Sequence, residues 1–284
     1  MTAGTEFPCD LCGTTDAHEV PHAAEYTGGQ PVHICARCGF VYVKRRRSAD
    51  EIAATWSEEI FGEGYTARVP AITARLTQVV ETLRTELGLD GKDVCEIGAG
   101  EGEFLELARV RGARVFGIEP SDANCRLMRE REIDCFTGTI ECYEESGAGD
   151  GAFDVVAILW TLENCQDCRR MLAGAHALLR PGGHVVVATG SRILVPFKKP
   201  LWSYFSANPA DTHAFRFSAN TLRKALALSG FAPTYVNRYL DSDVLLVIGE
   251  QAEAGDWQGD APLAVYTFFE RWHAETALFY PRPD

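Results

Sequence analysis

Residues 94–105 read Val-Cys-Glu-Ile-Gly-Ala-Gly-Glu-Gly-Glu-Phe-Leu, and this stretch decides the fold. An apolar run ends in an acidic residue, three alternating glycines follow, and an amphipathic segment begins at once. This order predicts a β-strand, a tight turn and the N-terminus of a helix. Glycines at positions 98, 100 and 102 let the backbone approach a nucleotide-like ligand closely. Because such turns also occur without a ligand, the flanking sequence decides what this one means.

The segments that follow alternate between strand-like and helix-like patterns. Five strands are predicted, at Val94–Ile97, Arg114–Glu119, Ile133–Thr137, Phe153–Leu159 and His184–Ala188. Predicted helices follow the first, second, fourth and fifth strands, which implies a parallel, doubly wound sheet. A short loop joins two further strands in a predicted antiparallel edge hairpin, Thr234–Arg238 and Val244–Gly249. The predicted fold is therefore α/β, with a Rossmann-like sheet of seven strands.

Four cysteines near the N-terminus form two Cys-x-x-Cys pairs, and a glycine follows the second cysteine of each pair. Two such knuckles can place four thiolates around one tetrahedral Zn²⁺, although reduced cysteines without a ligand are the alternative. With sulfur at all four positions no site is open to activate water, so the zinc would be structural. In so short a segment, metal binding would supply the folding energy. The predicted ligands are Cys9, Cys12, Cys35 and Cys38.

Composition and charge limit the classes of function. The 284 residues are 46% hydrophobic, and 27 Lys+Arg against 40 Asp+Glu give a net charge of −13. An acidic chain repels a phosphate backbone, so a nucleic-acid substrate is disfavoured. The basic run Lys44–Arg47 is interpreted as a solvated turn after a strand. No segment is typical of a secretory signal or a membrane span, which predicts a cytoplasmic protein without membrane contact.

Four motifs in a fixed order carry a resemblance to a known family. They are Glu96-Ile-Gly-Ala-Gly-Glu-Gly102, Gly117-Ile-Glu-Pro120, Phe153-Asp-Val-Val156 and Leu179-Arg-Pro-Gly-Gly-His-Val-Val186. Over roughly residues 70 to 250, the chain resembles class I S-adenosylmethionine-dependent methyltransferases. The final antiparallel hairpin fits that family and not a nicotinamide dehydrogenase. The N-terminal Cys-x-x-Cys-Gly-Phe-Val-Tyr resembles the zinc-ribbon head of a subset that acts on sugar nucleotides, glycans and natural products.

The resemblance divides the chain into four parts. A zinc-ribbon module is expected over residues 1–48, and a helical lid or linker over 49–90. The S-adenosylmethionine-binding domain is expected over 91–250, followed by a C-terminal helical extension over 251–284.

The resemblance also implies which residues bind S-adenosylmethionine, at the carboxyl ends of the parallel strands. Glu119 would accept hydrogen bonds from the ribose hydroxyls. Residues 139–141 would flank the adenine, and Leu159 and Trp160 would close over the cofactor next to the sulfonium. The complete expected set is Glu96, Gly98, Ala99, Gly100, Gly102, Glu119, Pro120, Ile140, Glu141, Leu159 and Trp160.

The general base is less well defined by the sequence. Related chains often read His-x-Leu-Glu-His after the fourth strand, whereas this chain reads Trp-Thr-Leu-Glu-Asn over residues 160–164. His213 is the preferred candidate because it lies in a long aromatic-rich insert, residues 190–217, that can reach the acceptor. Tyr65, before the lid helix, and Glu163 are the other two candidates.

The predicted activity is methyl transfer from S-adenosylmethionine to a small-molecule acceptor, with a hydroxyl of a sugar or natural-product intermediate expected first. In-line displacement requires the acceptor atom about 3 Å from the methyl carbon and aligned with the departing sulfur. Two alternatives are open. One is an RNA methyltransferase that holds nucleic acid with the zinc ribbon and Lys44–Arg47. The other is a non-catalytic partner subunit that binds the cofactor.

Overall fold

Thirteen strands and nine α-helices occur in the part of the chain that the computed structural model describes, residues 5–55, 69–147, 150–196, 199–208, 213–238 and 244–280. The strands are β1 Thr5–Glu6, β2 Ala17–Glu19, β3 His33–Cys35, β4 Val41–Tyr42, β5 Arg45–Arg46, β6 Asp93–Ile97, β7 Arg114–Glu119, β8 Asp134–Thr137, β9 Phe153–Leu159, β10 Leu179–Thr189, β11 Phe215–Arg216, β12 Phe231–Val236 and β13 Leu245–Gln251. The helices are α1 Ala49–Thr55, α2 Val69–Glu86, α3 Glu103–Arg109, α4 Asp122–Glu130, α5 Ile140–Glu145, α6 Cys168–Leu178, α7 Leu201–Tyr204, α8 Ala219–Leu228 and α9 Pro262–Phe279. No helix in these residues is long and apolar enough to cross a bilayer.

The main sheet has seven strands in the order β12-β13-β10-β9-β6-β7-β8. The five strands β6 to β10 are parallel, and β13 runs antiparallel to both of its neighbours, β10 and β12. This arrangement confirms the predicted Rossmann-like sheet with a terminal antiparallel hairpin. The central strand β9 is apolar and almost entirely buried, as expected for a strand covered on both faces.

Local signals explain most of the helix boundaries. Ser121 caps α4 by accepting a hydrogen bond from the Asn124 amide, and Ser218 forms a capping box with Thr221 at the start of α8. The sequence periodicity does not predict α1 or α5. Both have a readable cap, because Ser48 accepts from the Glu51 amide and Thr139 from the Cys142 amide. Strand β10 begins at Leu179 rather than at the predicted His184, and its pairing with β9 shifts register between these residues.

A second sheet joins distant parts of the chain in the order β11-β4-β3-β2. Three of its strands belong to the N-terminal four-cysteine module, whereas β11 belongs to the insert after β10. Phe215 pairs with Tyr42 and Arg216 pairs with Val41. The Val43 amide donates to the Ala214 carbonyl at 2.8 Å. The insert therefore completes the sheet of the N-terminal module.

Aromatic side chains fix this junction. Phe40 of the N-terminal module lies with its ring centroid 5.7 Å from that of Phe215 and 5.3 Å from that of Phe217. The C-terminal helix α9 packs in the same region, where Phe269 lies 6.0 Å from Phe205 of the insert. One apolar cluster thus contains residues of the N-terminal module, the insert and α9.

The run Lys44–Arg47 does not form the solvated turn that the sequence suggests, because Arg46 is buried. Its guanidinium donates two hydrogen bonds to Asp10, at 2.8 and 2.6 Å, and a third to the Gln166 carbonyl. The ring of Phe215 lies under the guanidinium carbon at 4.4 Å. Arg45, by contrast, is 64% exposed and pairs with the exposed Glu6. The ion pair lies within the N-terminal module, and the hydrogen bond to the Gln166 carbonyl ties this module to the segment before α6.

We expect Asp10→Ala to lower the free energy of unfolding by about 3–5 kcal/mol, because it leaves the Arg46 charge buried without its partner. The matched control is Glu6→Ala, which removes the exposed pair with Arg45 and should cost at most about 1 kcal/mol. Urea unfolding of both variants gives the comparison. Equal losses in the two variants would contradict a structural role for the Arg46–Asp10 pair.

Candidate functional site

A cavity of about 750 Å³ lies at the carboxyl ends of β6, β7, β9 and β10. Its volume is within the range of pockets that hold drug-sized ligands, about 300–1,000 Å³. Residues of α1, α2 and the insert after β10 complete its wall. Ligands of doubly wound sheets bind at this end of the strands, so the cavity is where the sequence predicts the cofactor.

The glycine turn after β6 has the backbone that only glycine adopts without strain. Gly98, Gly100 and Gly102 have φ angles of 75°, 55° and 84°. A Cβ on Gly98 would lie 2.5 Å from the Thr161 hydroxyl oxygen. Gly98 and Gly100 line the cavity, whereas Gly102 lies behind the turn, where a Cβ would meet Met128 at 2.8 Å.

Glu119, the last residue of β7, connects the glycine turn with the next loop. Its Oε2 accepts a hydrogen bond from the Gly100 amide at 2.9 Å, and its Oε1 accepts one from the Ser121 amide at 2.9 Å. Burial raises the pKa of the carboxyl, and these hydrogen bonds oppose the shift. Oε1 also accepts from the Asn124 side-chain amide at 3.5 Å. A carboxylate offers about four acceptor positions, so about one remains, on Oε2, for a hydroxyl group of a ligand.

Glu96 supplies a second buried acid at the same end of the cavity. Its Oε2 has no hydrogen-bond partner among the described residues. Burial raises the pKa of its carboxyl well above the ordinary value, and the nearby Glu103 and Glu119 raise it further. Two buried acids with a half-buried third beside them favour a positively charged ligand over a negative one.

Trp160, which follows β9, has a strained backbone with φ of 53°. Its amide donates to the Ala188 carbonyl at 2.7 Å, which fixes the turn against β10. The indole lines the cavity, and its Nε1 has no partner in the described part of the chain. The other predicted cofactor residues on the cavity wall are Ala99, Pro120, Ile140, Glu141 and Leu159.

Glu163 lies where β9 leads into the cavity and is 1% exposed. Its Oε1 accepts from the Gly190 amide at 3.1 Å, while its Oε2 has no partner among the described residues. Burial raises the pKa of the carboxyl to about 7, although backbone hydrogen bonding and the Thr189 side chain oppose the shift. At neutral pH, both the protonated and the ionised form of Glu163 are therefore present.

His213 lines the insert side of the same cavity. Its Nδ1 is hydrogen-bonded to the Ser191 hydroxyl. Burial lowers the pKa of the imidazole to about 3, and the positive charges of Arg216 and Lys199 lower it in the same direction. The ring is therefore neutral at physiological pH, and its low basicity makes it a weak proton acceptor.

Tyr65, the remaining candidate for catalysis, lies outside the described residues. The cavity also contains residues that the sequence analysis does not single out. They are Ile52 and Ala53 of α1, Ile72, Arg75 and Leu76 of α2, Thr161 after β9, and Lys199, Tyr204, Phe205 and Arg216 of the insert or β11. The sequence signals for them are the Ser48 cap of α1, the helical spacing of Ile72 and Leu76, and the aromatic composition of the insert.

The four predicted metal ligands come together at the N-terminal module, away from the cavity. Cys9 Sγ lies 3.6 Å from Cys38 Sγ, and Cys12 Sγ lies 3.4 Å from Cys35 Sγ. All four sulfur atoms lie within 4.8 Å of one another. A tetrahedral ion with Zn–S bonds of about 2.3 Å requires sulfur atoms about 3.8 Å apart. The donor set and its spacing therefore fit a tetrahedral metal ion.

Comparisons with known proteins define the family. Residues 68–236 match the family described as a methyltransferase domain. This match covers well over half of the 284 residues, so the chain belongs to that family. Residues 68–236 are thus a methyltransferase domain.

One relative matches this chain over only part of its own length. A ubiquinone biosynthesis O-methyltransferase of Pseudomonas aeruginosa is 34% identical over 141 residues, which cover 45% of this chain and 59% of that protein. The chain thus matches about three-fifths of this relative.

Two solved structures share the fold. One is 1,6-didemethyltoxoflavin-N1-methyltransferase of Burkholderia thailandensis, with a TM-score of 0.54, 19% identity, and coverage of 78% of this chain and 98% of that one. The other is magnesium protoporphyrin IX methyltransferase of Synechocystis, with a TM-score of 0.52, 16% identity, and coverage of 73% and 98%.

Proposed function

We propose that the protein transfers a methyl group from S-adenosylmethionine to a hydroxyl of a small molecule. The observation that carries this proposal is the arrangement of acids in the cavity: Glu96 and Glu119 lie at the glycine turn, and Glu163 lies between that turn and the insert. When bound, S-adenosylmethionine supplies an activated methyl group on a positively charged sulfur. The acceptor would enter on the insert side, where aromatic and polar side chains form the wall.

The residues at the glycine turn suit such a cofactor for physical reasons. Burial raises the pKa values of Glu96 and Glu119, and Oε2 of Glu96 has no partner among the described residues. A nearby positive charge would stabilise the ionised form of both carboxylates. The free acceptor position on Oε2 of Glu119 suits a ribose hydroxyl. Ile140 and Leu159 are apolar and almost fully buried, which suits an adenine ring.

Glu163 is the best-supported general base. A base works best when its pKa lies near the operating pH, and the pKa of Glu163 is raised to about 7 whereas that of His213 is lowered to about 3. As the acceptor oxygen forms its bond to the methyl carbon, its proton would pass to the free Oε2 of Glu163. His213 is neutral and hydrogen-bonded to the Ser191 hydroxyl. It would then act as a hydrogen-bonding group that orients the acceptor.

A hydroxyl acceptor is further supported by the relative from Pseudomonas aeruginosa, whose name specifies an O-methyltransferase. The RNA alternative is weakened by the burial of Arg46, because the run Lys44–Arg47 then presents no continuous basic surface. A sugar hydroxyl is one acceptor within this proposal.

We also propose that the four-cysteine cluster binds one structural Zn²⁺. Four thiolates at tetrahedral spacing leave no open coordination position, so the ion would hold the fold of the module and take no part in the reaction.

We expect calorimetry to detect binding of S-adenosylmethionine with a dissociation constant in the micromolar range or tighter. Glu119→Ala should weaken binding by about 1–3 kcal/mol, because the cofactor hydroxyls and two backbone amides lose their acceptor. Glu130→Ala, which removes an exposed acid on α4, is the matched control and should leave binding unchanged. An absence of binding by the wild-type protein would refute the proposed activity.

The reaction itself is tested with methyl-labelled S-adenosylmethionine and a cell extract separated into a small-molecule fraction and an RNA fraction. We expect label in the small-molecule fraction, at a rate that rises with pH through an apparent pKa of about 7 or slightly below. The ionised form of Glu163 is the active one, and the bound sulfonium favours that form. Glu163→Gln should lower the rate by a factor of about 10²–10⁴.

His213→Ala is the comparison variant and should keep the rise with pH. Label in the RNA fraction would favour the nucleic-acid alternative, and no transfer at all would favour a non-catalytic cofactor-binding subunit. Loss of the pH dependence in His213→Ala, with retention in Glu163→Gln, would reverse the assignment of the base.

Metal analysis should find about one zinc per chain, because one four-sulfur cluster is present in the described residues. Cys35→Ser should lose the metal and lower the thermal midpoint, since metal binding contributes folding free energy. Cys142→Ser, at an exposed cysteine outside the cluster, should retain the metal. A metal-free wild-type protein with an unchanged fold would contradict the zinc site.

A further inference from the structure

Arg216 is a buried cation on the acceptor side of the cavity. It belongs to β11, is 1% exposed, and lines the same cavity as the glycine turn. Its guanidinium carbon lies over the ring of Phe205 at 4.6 Å and over the ring of Tyr204 at 5.8 Å. These rings stabilise a cation from its faces, but they leave the N–H groups at its edge without acceptors.

The guanidinium has few partners for its five N–H groups. Nη1 donates to the His213 carbonyl at 2.9 Å, and Nε has no partner. No carboxylate of the described residues forms an ion pair with Arg216, whereas the equally buried Arg46 is paired with Asp10. A buried charge without a counter-charge is unfavourable, so a protein that retains one generally uses it.

The electric field in the cavity changes sign from one end to the other. Glu96 and Glu119 lie at the glycine turn, and Lys199 and Arg216 lie on the insert side. The imidazole of His213 lies near both of these cations, and their positive charges lower its pKa. The same cavity therefore suits a cation at the glycine turn and an anion at the insert.

We propose that the methyl acceptor carries an oxyanion, a carboxylate or a phosphate, and that Arg216 binds it. This inference rests on the proposed function and specifies the substrate class of that site. The planar fork of a guanidinium matches both oxyanions with two parallel hydrogen bonds. With its charged group held by Arg216, an acceptor would be oriented between the cofactor end and the insert. Arg216 is thus a specificity-determining residue.

The experiment measures binding of three ring compounds that differ in one group: benzoate, phenyl phosphate and the neutral benzamide. Each is titrated calorimetrically into the protein saturated with S-adenosylhomocysteine and into the cofactor-free protein. We expect benzoate or phenyl phosphate to bind at least tenfold more tightly than benzamide. The tighter of the two anions identifies the oxyanion as carboxylate or phosphate.

Three variants test the role of Arg216. Arg216→Met should weaken binding of the preferred anion at least tenfold and abolish the preference over benzamide, with binding of S-adenosylhomocysteine unchanged. Arg216→Lys, which keeps the charge without the fork, should retain part of the preference. The matched control is Arg126→Met, which removes an exposed arginine on α4 and should change neither affinity. If Arg216→Met does not fold, the wild-type comparison and Arg216→Lys decide the question.

Equal affinity for benzoate and benzamide, no saturable binding of either anion, or an unchanged preference in Arg216→Met would each overturn the inference. A failure of S-adenosylhomocysteine to bind would contradict the proposed function. It would not affect the test of Arg216, because the probes are also titrated into the cofactor-free protein. The preference for anions would still be decided in that case.

Discussion

The backbone pairing between β11 and β4 holds the insert side of the cavity in place. β11 has only two residues, yet its surroundings hold it from three directions. The Val43 amide donates to the Ala214 carbonyl, the Phe215 amide donates to the Glu163 carbonyl, and the Phe217 amide donates to the Ser191 carbonyl. The N-terminal module, the end of β9 and the end of β10 therefore all position this strand. Arg216 belongs to this strand, and His213 lies two residues before it.

This pairing connects the four-cysteine cluster to the cavity through the shared apolar core. Cys35, Cys38 and Phe40 belong to the same buried cluster as Phe215 and Phe217, and that cluster extends into the main sheet. The four-cysteine cluster is therefore connected to the cavity wall through the pairing of β4 with β11. Side chains in a close-packed core shift together, so the N-terminal module is part of the structure that shapes the insert side of the cavity.

Buried charge distinguishes the cavity from the rest of the interior. Glu163 and Arg216 are each about 1% exposed, and neither forms an ion pair within the described ranges. By contrast, the buried Arg46 is paired with Asp10 and the buried Lys224 with Asp256. Unpaired buried ionisable groups lower stability, so their concentration in one cavity marks it as the place where charged ligands meet the protein. The opposite signs at the two ends give such ligands an orientation.

The sequence by itself determined the architecture and the positions of most groups on the glycine-turn side of the cavity. Strand and helix periodicities predicted the seven-stranded sheet. The positions of Gly98, Gly100 and Glu119 on the cavity wall were predicted because ligands of such sheets bind at the carboxyl ends of the strands. Short-range signals of this kind depend only on neighbouring residues. The spacing of the four cysteines likewise predicted a cluster that the structure brings together.

Only the tertiary structure decided the arrangement of the insert side of the cavity. That β11 joins the sheet of the N-terminal module depends on contacts between residues far apart in sequence, and a strand of two residues has no periodicity to read. The pKa order of Glu163 and His213 depends on burial and on cations brought close by folding, so the residue types alone could not rank them. The residue types of the run Lys44–Arg47 likewise could not show that Arg45 is exposed and Arg46 is buried. These positions depend on the pairing of β5 with β1 and on the position of Asp10.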